Sequence, residues 1–402
     1  MPGVASSRTL VDLLFIQDTT ASMGPYIQSA KDSIIEVCQL LQDSGRIQKQ
    51  GGLKVGLIAY RDYPPQDQTY ITKEFPFTED INEMHKNLSE LTAEGGGDIP
   101  EAFCSALESA YKMKGWRRSA IKVIVVVTDA PPHGIGEMDD SIEGISPEGF
   151  SVEDPLKITR KMAKSGFTIM TLACEPTLSG SMYGTDFYKT LSTMTSGALY
   201  PLTNPKLLSA CIIGSVLESA DVQKLSMEYQ EEIAHRFFVK KDPIDQIIRD
   251  IHKQISSAGQ TAVSVSVENV YKDSPESKHN VHTLMSAKNL GEAKRELQRI
   301  RGSRFTPDYK QTVDVPEDKA YTITVTFKNT GASNIQVEFY EARDEDTVKK
   351  LMVPSNHMRL FSFPLNIPIC FTLVRGRFRR NTSCTFGNDA DFDVETKFEL
   401  SS

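Results

Sequence analysis

The sequence predicts an α/β protein: a doubly wound, mostly parallel sheet, then a helical stretch, then a smaller β-rich, sandwich-like module. Three observations lead there. Short apolar runs such as Ile121–Thr128 show no polar alternation, as strands covered on both faces should. These runs alternate with segments of helical period, which implies parallel pairing through right-handed crossovers. After about residue 304 the helical period gives way to short alternating segments separated by turn residues.

Taken in order, residues 11–18 read as a buried strand, and Pro25 to Gln42 as a helix through Ile27, Ile34, Val37, Leu40 and Leu41. Leu53 to Tyr60 reads as a second strand, and Tyr70 to Phe77 as an edge strand flanked by prolines. Helices are expected over Ile81–Leu91 and Ile99–Met113. The strand Ile121–Thr128 follows, then alternating helices and strands at Pro155–Lys164, Phe167–Cys174, Phe187–Met194 and Ala198–Leu202, closed by a helix over Pro205–Leu225. Asp242-Pro-Ile-Asp opens another helix with Pro in its first turn. Thr261–Val270 alternates as a strand, and Leu290 to Ile300 reads as a charged helix. The β-rich end shows strands at Tyr321–Phe327, Ile335–Tyr340, Leu360–Phe363, Ile369–Val374, Phe378–Phe386 and Phe392–Phe398. The expected division is 9–228 for the α/β domain, 229–304 for a helical linker region with one strand, and 305–402 for the β-rich module.

Bulk properties narrow the function classes. The 402 residues exceed one ordinary domain. The 39% hydrophobic and 24% charged content is that of a globular chain. Of the net charge of -8, residues 1–258 carry −9 and residues 259–402 carry +1, which argues against nucleic acid as the main partner of the first part. The six cysteines show neither CxxC nor zinc spacing. The first ten residues lack a signal-peptide core, and no run reaches transmembrane length, so a reduced, cytoplasmic location is expected.

Three loops carry the chemistry. Asp18-Thr-Thr-Ala-Ser-Met23 follows the first strand, Gly95-Gly-Gly-Asp-Ile-Pro-Glu101 precedes a helix, and Thr128-Asp-Ala-Pro-Pro-His-Gly134 follows the central strand. Asp18, Thr20 and Ser22 alternate, so a single turn aims three oxygens at a point, and Gly24 is expected to permit tight geometry after it. Asp98 and Asp129 add carboxylates from the other two loops. Hydroxyls and carboxylates at the carboxyl ends of parallel strands form an oxygen donor set for a hard divalent cation, Mg²⁺ or else Mn²⁺ or Ca²⁺. The competing reading of DxTxS as a helix N-cap cluster accounts for the first loop alone. His133 is expected to pack beneath the site, because Mg²⁺ prefers oxygen. Glu101 and Asp62 are expected to cap helices or to hydrogen-bond the ligands from behind.

On these motifs, residues 9 to 225 resemble a von Willebrand factor A domain, Rossmann-like in fold, with an intact metal-ion-dependent adhesion site (MIDAS). The GGGDxPE and TDAPPHG elements are most similar to the branch found beside alpha-kinase domains and in hemicentin-like proteins. The family pattern is DxSxS, then a second-loop Thr, then an Asp; Thr20 stands for the first Ser, and Asp98 for the Thr. The resemblance implies a non-enzymatic adaptor that captures a protein ligand, an acidic side chain of which completes the coordination. Asp98 either binds the cation directly, weakening its pull on an acidic ligand, or acts through water.

Two alternatives stand beside this. Arg375-Gly-Arg-Phe-Arg-Arg380 is the densest basic cluster, and Arg375, Arg377, Arg379 and Arg380 form a candidate anion-binding surface for lipid or glycan. On one strand, Arg375, Arg377 and Arg379 would share a face; a solvated edge strand explains the same charges. A metal-dependent hydrolase is the enzymatic alternative. It would need a general base in a pocket, whereas the resemblance implies an exposed, flat site; for other enzyme classes the chain shows no GxxxxGKS phosphate loop and no GxSxG elbow. The C-terminal module is not identified with a family; the order of domains in copines does not match.

Overall fold

The computed structural model describes residues 9–48, 50–138, 140–258, 270–300 and 304–306, together with the backbone of seven strands between 322 and 400. The chain divides into two compact units, Met1–Glu137 with Ile142–Arg299, and Met138–Ser141 with Ile300–Ser402.

The first unit is a doubly wound α/β fold. Its sheet contains β1 (Val11–Asp18), β2 (Leu53–Tyr60), β3 (Thr72–Thr78), β4 (Ile121–Thr128), β5 (Phe167–Cys174) and β6 (Leu199–Leu202), in the order β3-β2-β1-β4-β5-β6. All pairs are parallel except β2 with the edge strand β3. Alternate side chains of β1 face opposite cores. Val11, Leu13 and Phe15 pack against α1 (Gly24–Asp43), α2 (Ile81–Ser89) and α6 (Leu208–Ala234). Leu14 and Ile16 pack against α3 (Phe103–Lys112), α4 (Pro155–Lys164) and α5 (Gly184–Met194). Full burial of each such Leu or Ile contributes about 1.5–3 kcal/mol, which explains the unbroken apolar runs.

Local signals set several boundaries. Asp154 caps α4 by accepting from the amides of Leu156 (3.1 Å) and Lys157 (3.2 Å), with Pro155 in the first turn. At the amino end of the sheet, Arg117 closes the fully buried Asp12 with Nε–Oδ1 at 2.7 Å and a backbone bond of 2.6 Å.

Three expectations need correction. The helix predicted over Ile99–Met113 starts only at Phe103, because the Glu101 amide donates to Pro131 O (3.0 Å) and draws residues 99–101 into a loop. The helix predicted over Leu290–Ile300 is the four-residue α9 (Leu290–Ala293). Beyond it the backbone bonds to side chains instead: Gln298 N donates to Asn280 Oδ1 (2.7 Å), and Asn280 Nδ2 donates to Gln298 O (2.8 Å). Asn280 belongs to α8 (Pro275–Ser286), which the sequence reading passed over although Ser274 caps it and Pro275 opens it. Finally, Gly24 takes ordinary helical geometry, φ −47°, so the turn after Ser22 does not depend on glycine.

The region assigned above to a helical linker supplies the end of α6, then α7 (Ile244–Ser257), α8 and α9; Leu284, Leu290 and Ala293 lie in the second core of the α/β unit. Of the strand expected over Thr261–Val270, all but the last residue lies outside the described residues.

The second unit is β-rich. Its strands are β7 (Thr322–Asn329), β8 (Ile335–Glu341), β9 (Lys349–Val353), β10 (Met358–Pro364), β11 (Pro368–Arg375), β12 (Phe378–Thr385) and β13 (Lys397–Leu400). They form two sheets, β10-β7-β13 and β12-β11-β8-β9. β9 carries too little alternation to be read from sequence. The basic run is split: β11 and β12 pair antiparallel, with Arg375 opposite Phe378 and Val374 opposite Arg379. Arg375 and Arg379 therefore stand on different strands, as does Arg380 relative to Arg375, while Arg377 lies outside the described residues. The single strand on which a shared face depended is thus two strands, β11 ending at Arg375 and β12 starting at Phe378. Among the described residues, no helix is long and apolar enough to cross a membrane.

Candidate metal centre

The sheet order reverses between β1 and β4, and the crevice outside the carboxyl ends of these strands is where open α/β sheets place ligands. Asp18 ends β1, Tyr60 ends β2, and Asp129 follows β4. Asp18 is fully buried. Its Oδ1 accepts from Thr20 N (3.0 Å) and Thr20 Oγ1 (2.7 Å), and its Oδ2 accepts from Thr128 Oγ1 (2.9 Å). Tyr60 Oη donates to Thr128 Oγ1 (2.9 Å) and lies 3.3 Å from Asp18 Oδ2. Ser22 Oγ donates to Asp129 Oδ1 at 3.0 Å, joining the first and third loops. Each hydroxyl of the DxTxS motif is thus paired with a carboxylate.

The glycine-rich loop is tied to the first loop by Ala21 N to Gly95 O (3.2 Å) and Glu94 N to Thr19 O (3.2 Å). Gly95 and Gly96 have φ of +79° and +82°. A Cβ on Gly95 would fall 1.7 Å from Asp67 Oδ2, and one on Gly96 2.7 Å from Glu101 Oε1 and 3.4 Å from Thr20 Cβ. Only glycine lets this backbone pass so close to two carboxylates. Buried Arg61 supports the loop from behind: Nη2 donates to Thr92 O (2.8 Å), and Nη1 to Thr69 Oγ1 (2.8 Å).

The structure sorts the predicted residues into two groups. Asp18, Thr20, Ser22 and Asp129 form one. Asp98 stands in the other, with Asp62 and His133, each offering a ligand atom within 4.8 Å of the others. Glu101 does not cap α3, whose N-cap is Ala102 without a side-chain bond. It is 4% exposed, and its Oε2 has no hydrogen-bond partner. Burial, then the charges of Asp18, Asp62, Asp98 and Asp129, push its carboxyl well above the usual range. Glu101 is therefore the group that the sequence reading undervalued; its place in GGGDIPE was visible, but its inward direction was set by the distant Pro131 and Pro132.

Electrostatics test whether a cation fits. Burial raises the Asp18 carboxyl, against the lowering effect of its bonds to Thr20, Thr128 and Tyr60. Burial and the Asp18 charge raise Asp129 to about 7. Two desolvated carboxylates and two hydroxyls fit a hard divalent ion, which would supply the missing positive charge.

The family comparison agrees with this fold. Residues 12–210 match the von Willebrand factor type A domain. Over 149 residues the chain is 34% identical to alpha-protein kinase vwkA of Dictyostelium discoideum, covering 36% of this chain and 23% of that protein. Over 127 residues it is 28% identical to the ariadne-like RING finger protein R811 of Acanthamoeba polyphaga mimivirus, covering 32% and 12%. The chain spans less than a quarter of the length of either relative. Among solved structures, proximal thread matrix protein 1 of the mussel byssus is 14% identical over 53% of this chain and 47% of that one, with a TM-score of 0.37. The vwkA match supports the alpha-kinase-associated branch. Residues 12–210 are a von Willebrand factor type A domain.

Proposed function

We propose that this protein is a non-enzymatic, divalent-cation-dependent protein-binding adaptor. Asp18, Thr20, Ser22 and Asp129 would hold Mg²⁺, while Asp98 stands with Asp62 and His133 and does not bind that ion directly. The bound ion supplies an electrophilic position for an acidic side chain of a partner. The observation that carries this reading is the 3.0 Å bond from Ser22 Oγ to Asp129 Oδ1, which joins donors from two loops at the switch point of the sheet.

This chain's own residues do the positioning. Thr20 and Thr128 fix both oxygens of Asp18, and Ser22 fixes one oxygen of Asp129, so little reorganisation accompanies binding. Asp18 and Asp129 together match the charge of one divalent ion. The ion then keeps its pull on a partner carboxylate, provided that Asp98 stays with Asp62 and His133. A cavity of about 460 Å³ lies instead at the amino ends of β5 and β6, and none of the site residues lines it. It lends no support to the hydrolase alternative.

The test is affinity capture with the full chain in Mg²⁺ and in EDTA. Partners held in Mg²⁺ should be released by EDTA and absent from Asp129→Ala, with the variant still folded by circular dichroism. A captured set indifferent to both changes contradicts the proposal.

A further inference from the structure

We infer that Asp62, Asp98 and His133 form a second cation site, separate from the Asp18–Asp129 site, for a borderline divalent metal of the zinc class. The three side chains come from three loops: the turn after β2, the glycine-rich loop and the loop after β4. Their ligand atoms lie within 4.8 Å of one another. Backbone bonds hold those loops in register: Ala102 N donates to Arg61 O (3.0 Å), Glu101 N to Pro131 O (3.0 Å), and His133 N to Glu101 O (3.3 Å). The site is therefore built by the fold and does not depend on flexible side chains finding each other.

Two features go beyond a cluster of acids. His133 is fully buried and supplies an imidazole, a donor that Mg²⁺ disfavours and zinc-class ions accept. Asp62 is also fully buried; its Oδ1 meets His133 Nε2 at 2.6 Å and accepts from Tyr63 N at 2.6 Å, while its Oδ2 has no hydrogen-bond partner. A carboxylate oxygen buried without a partner is costly, and a cation seated among the three groups would satisfy it. Asp98 is half-buried, which gives the ion a way in. Nitrogen against all-oxygen donors separates the two sites chemically: the first takes Mg²⁺ and the second takes Zn²⁺ in the presence of excess Mg²⁺. An ion there would clamp the glycine-rich loop against the loop that carries Asp129.

The experiment is equilibrium dialysis of the full chain against Zn²⁺ in millimolar Mg²⁺, with Co²⁺ as a spectroscopic substitute. The wild type should retain one Zn²⁺ per chain, and Co²⁺ should give visible absorption bands. His133→Gln should weaken Zn²⁺ by about a hundredfold or more, beyond what losing an outer partner of a ligand costs, and abolish the Co²⁺ bands. Asp98→Asn, at a half-exposed position that the fold tolerates, should weaken Zn²⁺ too and decides the matter if His133→Gln does not fold. Asp129→Ala should keep the Zn²⁺ and lose only Mg²⁺ binding. If Zn²⁺ stays in the folded variants of His133 and Asp98, or is never retained against Mg²⁺, the second site does not exist. If Zn²⁺ binding follows His133 while Mg²⁺ binding is absent, the second site stands and the adaptor reading falls.

Discussion

Burial and the charge of Asp18 raise the Asp129 carboxyl from 3.8 to about 7, so in this window the metal-free folded form holds more protons than the unfolded chain. Stability from this group is therefore full below its unfolded value and is lost as pH rises towards about 7. Asp18 shifts in the same direction. The metal-free protein should melt at progressively lower temperature as pH is raised through this window. Asp129→Asn should flatten that slope and raise the metal-free melting temperature near neutral pH, while removing stabilisation by Mg²⁺. An unchanged slope in the variant contradicts this assignment. Gly96 gives a second residue-scale outcome. Alanine there forces a positive φ on a side-chain-bearing residue and drives Cβ into Glu101 Oε1, for a loss of about 1–3 kcal/mol with weaker Mg²⁺ binding. Chemical denaturation with and without Mg²⁺ reads both effects.

Among the elements, β1 carries the site and also divides the two cores. Leu14→Ala, which empties a fully buried position, should cost about 2–5 kcal/mol in urea denaturation without altering Mg²⁺ affinity once folding is allowed for. Arg117→Ala removes the guanidinium from buried Asp12, which keeps only the amide of residue 117, and about 3–5 kcal/mol is expected to be lost. A loss well under that range would show that water reaches Asp12. The strands of the first unit were legible because both of their faces are buried: β1, β2, β4 and β5 coincide with their apolar runs. The first and third loops were legible because their hydroxyls and carboxylates follow strand ends at short spacing. What sequence did not show depends on distant backbone partners. Glu101 turns inward because its amide is taken by Pro131, and the 290–300 segment unwinds because Asn280 bonds Gln298. The Asp62–His133 contact likewise joins positions whose proximity is set by sheet register, and no local pattern announces it.

Over the whole molecule, two units meet different demands. The α/β unit carries the acidic balance and concentrates Asp18, Asp62, Asp98, Glu101 and Asp129 at one end of its sheet. Such a concentration of carboxylates is unfavourable without cations, so metal binding and folding stability should be linked. At Mg²⁺ about a hundredfold above its dissociation constant, that linkage contributes about 2.7 kcal/mol. Chelation should thus lower the melting temperature of the full chain, and a folded α/β unit indifferent to EDTA argues against linkage. The most direct measurement is isothermal titration of the full chain with Mg²⁺, comparing wild type with Asp18→Asn and Asp129→Asn. Saturable binding to one high-affinity site, absent from both variants while each remains folded, is the expected result. Equal Mg²⁺ binding by wild type and the two variants would contradict the account.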